Sequence, residues 1–394
     1  MSKVNYFIGQ PVFTQLLQLI PKPLLKEIVR DNNSDRYYKR FKTYEHLVTM
    51  LYTCFHSCKS LREVVTGMMA CTTKLNHLGI ACIPRRSTLS EANANRSEQV
   101  FSQLYHRLYK YYYPDSPILS KLEKRLFIFD STTISLFSDV MRTSGIKPAG
   151  KRKGGVKAHV LIKANEDVPR FVCLTEAIEN DNIFPSMLQL PARSIVTFDR
   201  IYYGFKPLAN WSQTGVTWVT RMHAAVAYSI IKSHSCTKDC ILSDDEILAG
   251  SKQRKDKLRA RRIVYQDPVS QKVLIFLTNN FRMSALTIAA IYKKRWQIEC
   301  LFKRLKQNYP LQYFLGDNEN AIKIQIWCSL LTDLLIKIVK DKVNKRWSFS
   351  NIASMIRLHL MTYIDLYKFL QNPEKILQNY LPPLNESQYQ LFPP

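Results

Sequence analysis

Apolar positions early in the chain recur at helical spacing: between Thr43 and Cys58, Leu47, Leu51, Cys54 and Phe55 share one helical face. Ser60 and Glu63 have the spacing of a capping box that opens a following helix, and Thr88 with Glu91 repeats it after Pro84-Arg85-Arg86. With two arginines at its entrance, the second short helix suits docking on DNA in the manner of a helix-turn-helix, or equally the solvated basic edge of a helical bundle. From Leu122 the period changes. Short runs over Arg125–Asp130, Ala158–Ala164, Arg170–Glu176, Ser194–Asp199 and Val216–Met222 predict five strands. Helical pieces near Ile183–Leu190 and Tyr203–Trp211 fall between the later ones. The predicted order is β-β-β-α-β-α-β, a mixed α/β layer arrangement in which helices cover a sheet.

Residues 223–280 interrupt this rhythm. Polar residues dominate as far as Lys257, and two more predicted strands, Arg261–Tyr265 and Lys272–Thr278, straddle a turn at Asp267-Pro268. The stretch reads as a largely β insertion. A long helix is expected from about Ser284 to Gln307, a second from about Glu319 to Asp341, and helical structure again over Phe349–Leu370, ahead of a Pro-rich tail. Ile322 to Val339 is the most apolar late stretch, but Lys323, Asp333 and Lys337 within it predict a core helix rather than a membrane span.

A chain of 394 residues has room for two or three structural units. A hydrophobic content of 46% without polar low-complexity tracts excludes a disordered protein. Charge changes the picture most. Lys and Arg number 57 against 31 Asp and Glu, a formal +26, which points to a polyanionic partner. Nucleic acid fits best, while a membrane surface or an acidic protein is compatible. Nine cysteines at irregular spacing, with no secretory leader ahead of them, read as reduced thiols of a cytosolic protein. The groups Cys54/His56/Cys58 and His234/Cys236/Cys240 lack the paired spacing of a zinc site and read as buried or incidental.

The candidate chemistry begins at the strand ends. Leu126-Phe127-Ile128-Phe129 is continuously apolar and is followed by Asp130; Ile195-Val196-Thr197-Phe198 is followed by Asp199. An apolar strand that ends in a carboxylate delivers it to the rim of an open α/β sheet, although such an aspartate also serves as an ordinary turn or cap residue. A helical stripe supplies the third element. At about 100° per residue, Tyr292, Arg295, Glu299 and Lys306 share one narrow face, while Ile291, Ile298, Leu301 and Leu305 form the opposite one. A solvated charged face accounts for the cations but less well for one glutamate ringed by them. Three carboxylates are the minimal cage for two Mg²⁺ or Mn²⁺ ions that activate a nucleophile and steady the leaving oxygen in phosphodiester cleavage.

These blocks resemble the insertion-sequence-4 family of DDE transposases. The family's spaced Tyr, Arg, Glu, Lys signature is met by Tyr292, Arg295, Glu299 and Lys306, beside the aspartate blocks at Asp130-Ser131-Thr132 and Asp199-Arg200-Ile201-Tyr202. Lys157-Ala158-His159, Val219-Thr220-Arg221, Phe314-Leu315-Gly316, Asn320-Ala321 and Gln325-Ile326-Trp327 also resemble it, while Ile201 stands where the family commonly has glycine.

The resemblance implies a ribonuclease-H-like mixed sheet with flanking helices, interrupted by a β-rich insertion, plus an N-terminal helical domain and a helical C-terminal region. The expected boundaries are residues 1–120 for an N-terminal helical DNA-binding domain, 121–222 and 281–342 for the catalytic domain, 223–280 for the insertion and 343–394 for the C-terminal region. It further implies a bacterial, nucleoid-associated enzyme that nicks double-stranded DNA at terminal inverted repeats, forms and opens a hairpin, and joins target DNA as a DNA-assembled dimer. Asp130, Asp199 and Glu299 would hold the two ions. Tyr292, Arg295, Lys306 and Arg200 would face DNA. Trp296 would stack on a flipped base or lie in the core, and Lys157 and His159 would contact DNA, orient a carboxylate or, for His159, serve the fold. The competing readings are a related nuclease without strand transfer and a DNA-binding protein with a decayed site.

Overall fold

The computed structural model describes residues 9–114, 125–135, 155–176, 183–236, 238–250 and 257–374; the stretch 251–256 and the Pro-rich tail beyond 374 fall outside them. Two compact units result. One comprises Met1–Leu108, Gln307–Gly316 and Asn320–Pro394, the other Tyr109–Lys306 with Asp317–Glu319.

The first unit is helical, with Val12–Leu17, Lys22–Asp31, Thr43–His56, Leu61–Ala70 and Arg86–Asn95 in its N-terminal part. Ser60 caps its helix by accepting from the Glu63 N–H, as the capping-box spacing requires. Thr88 does not cap, because the helix already begins at Arg86, behind Pro84. Glu319–Lys342 was expected to complete the catalytic domain, yet all of it from Asn320 onward groups with these helices. Its side chains explain why. Ile322, Ile324, Leu331, Leu334 and Leu335 are fully buried, so apolar surface lies on every side of the helix rather than on one stripe.

Polar side chains lock this packing. Asn320 donates to the carbonyls of Asn93 and Arg96 at 2.9 and 2.8 Å, and the Trp327 indole donates to Glu98 at 2.7 Å. Gln325 donates to the Pro310 and Tyr313 carbonyls and accepts from the Leu315 N–H. Gly316 lies so close to Ala321 that a Cβ there would meet the alanine methyl at 2.6 Å. The late motif blocks around Leu315, Asn320 and Gln325 are thus packing devices. No described helix is long and apolar enough to cross a membrane.

His46 is fully buried in this unit, bonded to Asn93 at 2.7 Å and edge-on to Phe101. Burial, followed by the nearby Arg96 charge, pushes its pKa down to about 3. An unfolded histidine protonates near about 6.5, so between these values the unfolded chain binds the extra proton. Stability is therefore fully present above about pH 6.5 and falls toward pH 3, by about 1.4 kcal/mol per pH unit. Thermal melts between neutrality and about pH 4 are expected to show a shallower pH slope for His46→Gln than for the parent.

The second unit is built on one nine-stranded mixed sheet in the order β3-β2-β1-β4-β5-β9-β8-β7-β6. The strands are β1 (Leu126–Ser135), β2 (Gly155–Lys163), β3 (Pro169–Glu176), β4 (Ile195–Phe198), β5 (Thr217–Arg221), β6 (Tyr228–Ser233), β7 (Ile241–Ala249), β8 (Leu258–Gln266) and β9 (Val273–Thr278). β1 runs parallel to β4, and β4 to β5, while every other neighbouring pair is antiparallel. On one face Phe127, Phe129, Phe198 and Trp218 form a continuous aromatic core with Trp211 of the covering helix Phe205–Gln213. The helix Ala285–Lys293 packs on the other face, with Phe276 of β9 against Tyr292 at 5.1 Å.

Three expectations need correction. β1 does not stop at Asp130 but continues to Ser135, because β2 pairs with it along its length. The polar stretch after residue 223 holds two strands, β6 and β7. Asp244, Asp245 and Glu246 of β7 are buried and paired with Arg261, Arg262 and Arg259 of β8, so charge there marks cross-strand ion pairs in a stretch where no strand was predicted. Finally, the long helix is two helices, Ala285–Lys293 and Trp296–Asn308. The Arg295, Gln297 and Ile298 N–H groups reach back only three residues, to Tyr292, Lys294 and Arg295, so the backbone tightens to a 3₁₀ turn between them.

Candidate active site

Asp130 and Asp199 are brought together by the parallel pair β1/β4. Phe129 is the last β1 residue in register with β4, opposite Phe198, so Asp130, within β1, and Asp199, just past the carboxyl end of β4, come next side by side. Alternation along both strands puts the two carboxylates on the face of Ile128 and Thr197, opposite the stacked rings of Phe129 and Phe198. Asp199 also accepts from the Ile201 N–H at 3.1 Å and so caps the short 3₁₀ turn Arg200–Tyr202. Ile201 has no positive φ, so the turn does not require the glycine common at its position.

The break between the two helices delivers Arg295 to the same face. Its guanidinium reaches Asp130 Oδ2 at 3.2 Å through Nη1 and Glu299 Oε1 at 2.5 Å through Nη2, and lies 5.6 Å over the Tyr292 ring. Burial pushes the Asp130 carboxyl up to about 6, with Asp199 and Glu299 adding to the rise and the Ser131 N–H and Arg295 opposing it. All three acidic groups therefore share one electrostatic neighbourhood. Among the described residues no three His, Cys, Asp or Glu side chains gather tightly enough to hold a single ion.

The remaining sequence-selected residues divide clearly. Tyr292 is buried beside the site, and burial raises its phenol pKa. Trp296 is 63% exposed at the start of its helix, so the core reading of this side chain does not hold. Lys306 is exposed two turns beyond Glu299, and Arg200 is exposed beside Asp199. Lys157 and His159 are not part of this cluster. They pair with Thr133 and Ser131, odd-numbered neighbours of Asp130, and so occupy the opposite face of the sheet. There His159 is 2% exposed, bonded to Thr175 at 3.0 Å and stacked on Phe184. A ring so enclosed has no face to offer DNA.

Two features had no role assigned from the sequence, although Arg221 lies in the Val219-Thr220-Arg221 block that resembles the family. Arg221, at the end of β5, lies on the carboxylate face within electrostatic reach of Tyr292. A cavity of about 700 Å³ opens beside Asp199 and is lined by Tyr203, Phe205, His223 and Val226 among others. His223 Nδ1 accepts from the Ala225 N–H, leaving Nε2 as the donor nitrogen of the neutral ring. Only register shows that β5 ends beside β4, and only folding closes the cavity.

Residues 121–334 match a family model described as "Transposase DDE domain", and residues 8–81 match one described as "Domain of unknown function (DUF4372)". A Sinorhizobium fredii protein named as transposase y4zB is 26% identical over 65% of this chain and 71% of its own length. A Geobacillus stearothermophilus protein, named for the insertion sequence element IS5377, is 26% identical over 60% of this chain and 63% of its own. A Synechocystis protein named for the element IS4SA is 25% identical over 64% of this chain and 71% of its own. Among solved structures, the piggyBac transposase synaptic complex with hairpin DNA aligns with a TM-score of 0.45 and 10% identity, covering 96% of this chain and 87% of that one.

Proposed function

Because this chain belongs to the transposase DDE domain family, we propose that it is a cut-and-paste insertion-sequence transposase of the insertion-sequence-4 type, with Asp130, Asp199 and Glu299 as its catalytic carboxylates. One observation carries this reading: Arg295 joins Asp130 to Glu299 while Asp199 stands at the adjacent strand end. The strand order β3-β2-β1-β4-β5 supports a ribonuclease-H-like core, and β6 to β8 support a β-rich insertion ahead of the glutamate. Residues 1–120 are assigned a DNA-binding role on the strength of their helices and the chain's charge.

The donor set fits Mg²⁺ or Mn²⁺. It consists of carboxylate oxygens only, and burial, with Asp199 and Glu299 adding, raises the Asp130 pKa by disfavouring the bare anion, a cost that a hard cation relieves. Two ions held by Asp130, Asp199 and Glu299 would supply Lewis-acid activation of the nucleophile and stabilise the pentacovalent phosphate. The chain's own residues do the rest. Arg295 and Lys306 neutralise phosphates of the bound end, Arg as a bidentate fork and Lys as a point charge. Exposed Trp296 offers a stacking surface for an unpaired base. The proposed sequence is nicking at the element end, attack of the freed 3′-hydroxyl on the opposite strand to give a hairpin, opening of the hairpin, and strand transfer by a DNA-assembled dimer.

The test is a reaction with Mg²⁺, DNA carrying two element ends taken from the sequence flanking the gene, and a supercoiled target. Joined products flanked by short target duplications are the expected outcome. Hydrolysed ends without joining would favour a nuclease without strand transfer.

A further inference from the structure

Arg295 occupies an unusual position for a phosphate-binding residue. Its guanidinium nitrogens are committed to Asp130 and Glu299, two of the carboxylates assigned above to metal. An oxygen lone pair engaged by N–H is not available to a cation, and a guanidinium wedged between two carboxylates repels one. Guanidinium and divalent ion thus compete for the same negative charge. Of its other donors, Nε–H is buried and meets no acceptor among the described residues, so this arrangement leaves Arg295 only partly satisfied. A phosphate is a better acceptor for the whole fork than two separated carboxylates. Arg295 also leaves the 3₁₀ turn, one residue before Trp296, where a small change in backbone angles swings the side chain without unwinding either helix.

We propose that Arg295 is an electrostatic latch: it holds Asp130 and Glu299 until a DNA phosphate draws it away, and so couples metal uptake to DNA binding. The inference rests on the metal-binding reading of these carboxylates. Linkage makes the coupling reciprocal, so DNA tightens metal binding by the same factor as metal tightens DNA binding. A transposase so built keeps its cutting site poorly loaded away from DNA.

The test is calorimetric titration of Mn²⁺ into the full chain, alone and with a short random-sequence duplex, for the parent, Arg295→Ala and Arg295→Gln. Asp130→Asn serves as the ligand-loss control. The duplex is expected to tighten Mn²⁺ binding to the parent by about tenfold, within the usual range of coupling between sites. Without DNA, both Arg295 variants are expected to bind Mn²⁺ more tightly than the parent, by a similar factor, and to gain little more from the duplex. A parallel melt separates latch from scaffold: removal of the latch lowers the melting temperature without Mn²⁺, and Mn²⁺ restores it. Variants that bind Mn²⁺ no more tightly than the parent, or melts that Mn²⁺ fails to restore, overturn the latch. If the parent and the Arg295 variants bind no Mn²⁺ with or without DNA, or if Asp130→Asn binds as the parent does, the metal assignment fails first, and the latch with it.

Discussion

Glu299→Gln is expected to abolish metal-dependent DNA cleavage, by about a thousandfold or more, while leaving the fold and DNA binding near those of the parent. The substitution keeps the side chain's size and removes only its charge. The Glu299 side chain is 32% exposed and its charge partner is Arg295, so the fold loses little when the pair is broken. The chemistry loses a great deal, because a neutral amide cannot hold a divalent ion against water as a carboxylate does. Gel assays of plasmid nicking in Mg²⁺, run beside a binding assay on the same DNA, separate the two effects. Cleavage within tenfold of the parent would remove Glu299 from the proposed machinery. Asp130→Asn should behave in the same way.

The second large effect concerns the sheet rather than the chemistry. Arg261 donates to both oxygens of Asp244, at 2.7 and 2.5 Å, and through Nη1 to the Met283 carbonyl at 2.6 Å, with both side chains almost completely buried. Arg261→Met leaves a buried carboxylate without its cation and a carbonyl without its donor, and a loss of about 3–5 kcal/mol is expected. The double substitution Arg261→Met with Asp244→Leu should recover most of that loss, because the uncompensated charge, not the missing attraction, carries the cost. Unfolding of the full chain followed by circular dichroism would measure both. A single variant within about 1 kcal/mol of the parent would contradict the argument.

What the sequence made legible follows from what each signal depends on. Asp130, Asp199 and Glu299 stood out because each depends on local pattern alone: an apolar strand followed by a carboxylate, or a glutamate in a helical stripe. Lys157 and His159 looked equally apt, yet their face depends on how β2 pairs with β1, and a shift of one residue reverses it. β7 was hidden because Asp244, Asp245 and Glu246 look like a loop until the arginines of β8 are placed beside them. The 3₁₀ turn ahead of Trp296 was invisible for a related reason, since a few residues of tightened backbone barely disturb an apolar period of 3.6. Trp296 itself sits beside an apolar stripe, but the turn rotates it outward, where it is 63% exposed.

The distance along the chain between the two halves of the proposed site has an effect during synthesis. Asp130 and Arg295 are 165 positions apart, and the strands that carry the aspartates leave the ribosome well before the helix that carries the glutamate. A nascent or prematurely terminated product that ends before that helix lacks both Arg295 and Glu299. On the proposed assignment, such fragments have no means of breaking DNA, and the ability to cut arrives only once that helix has been made.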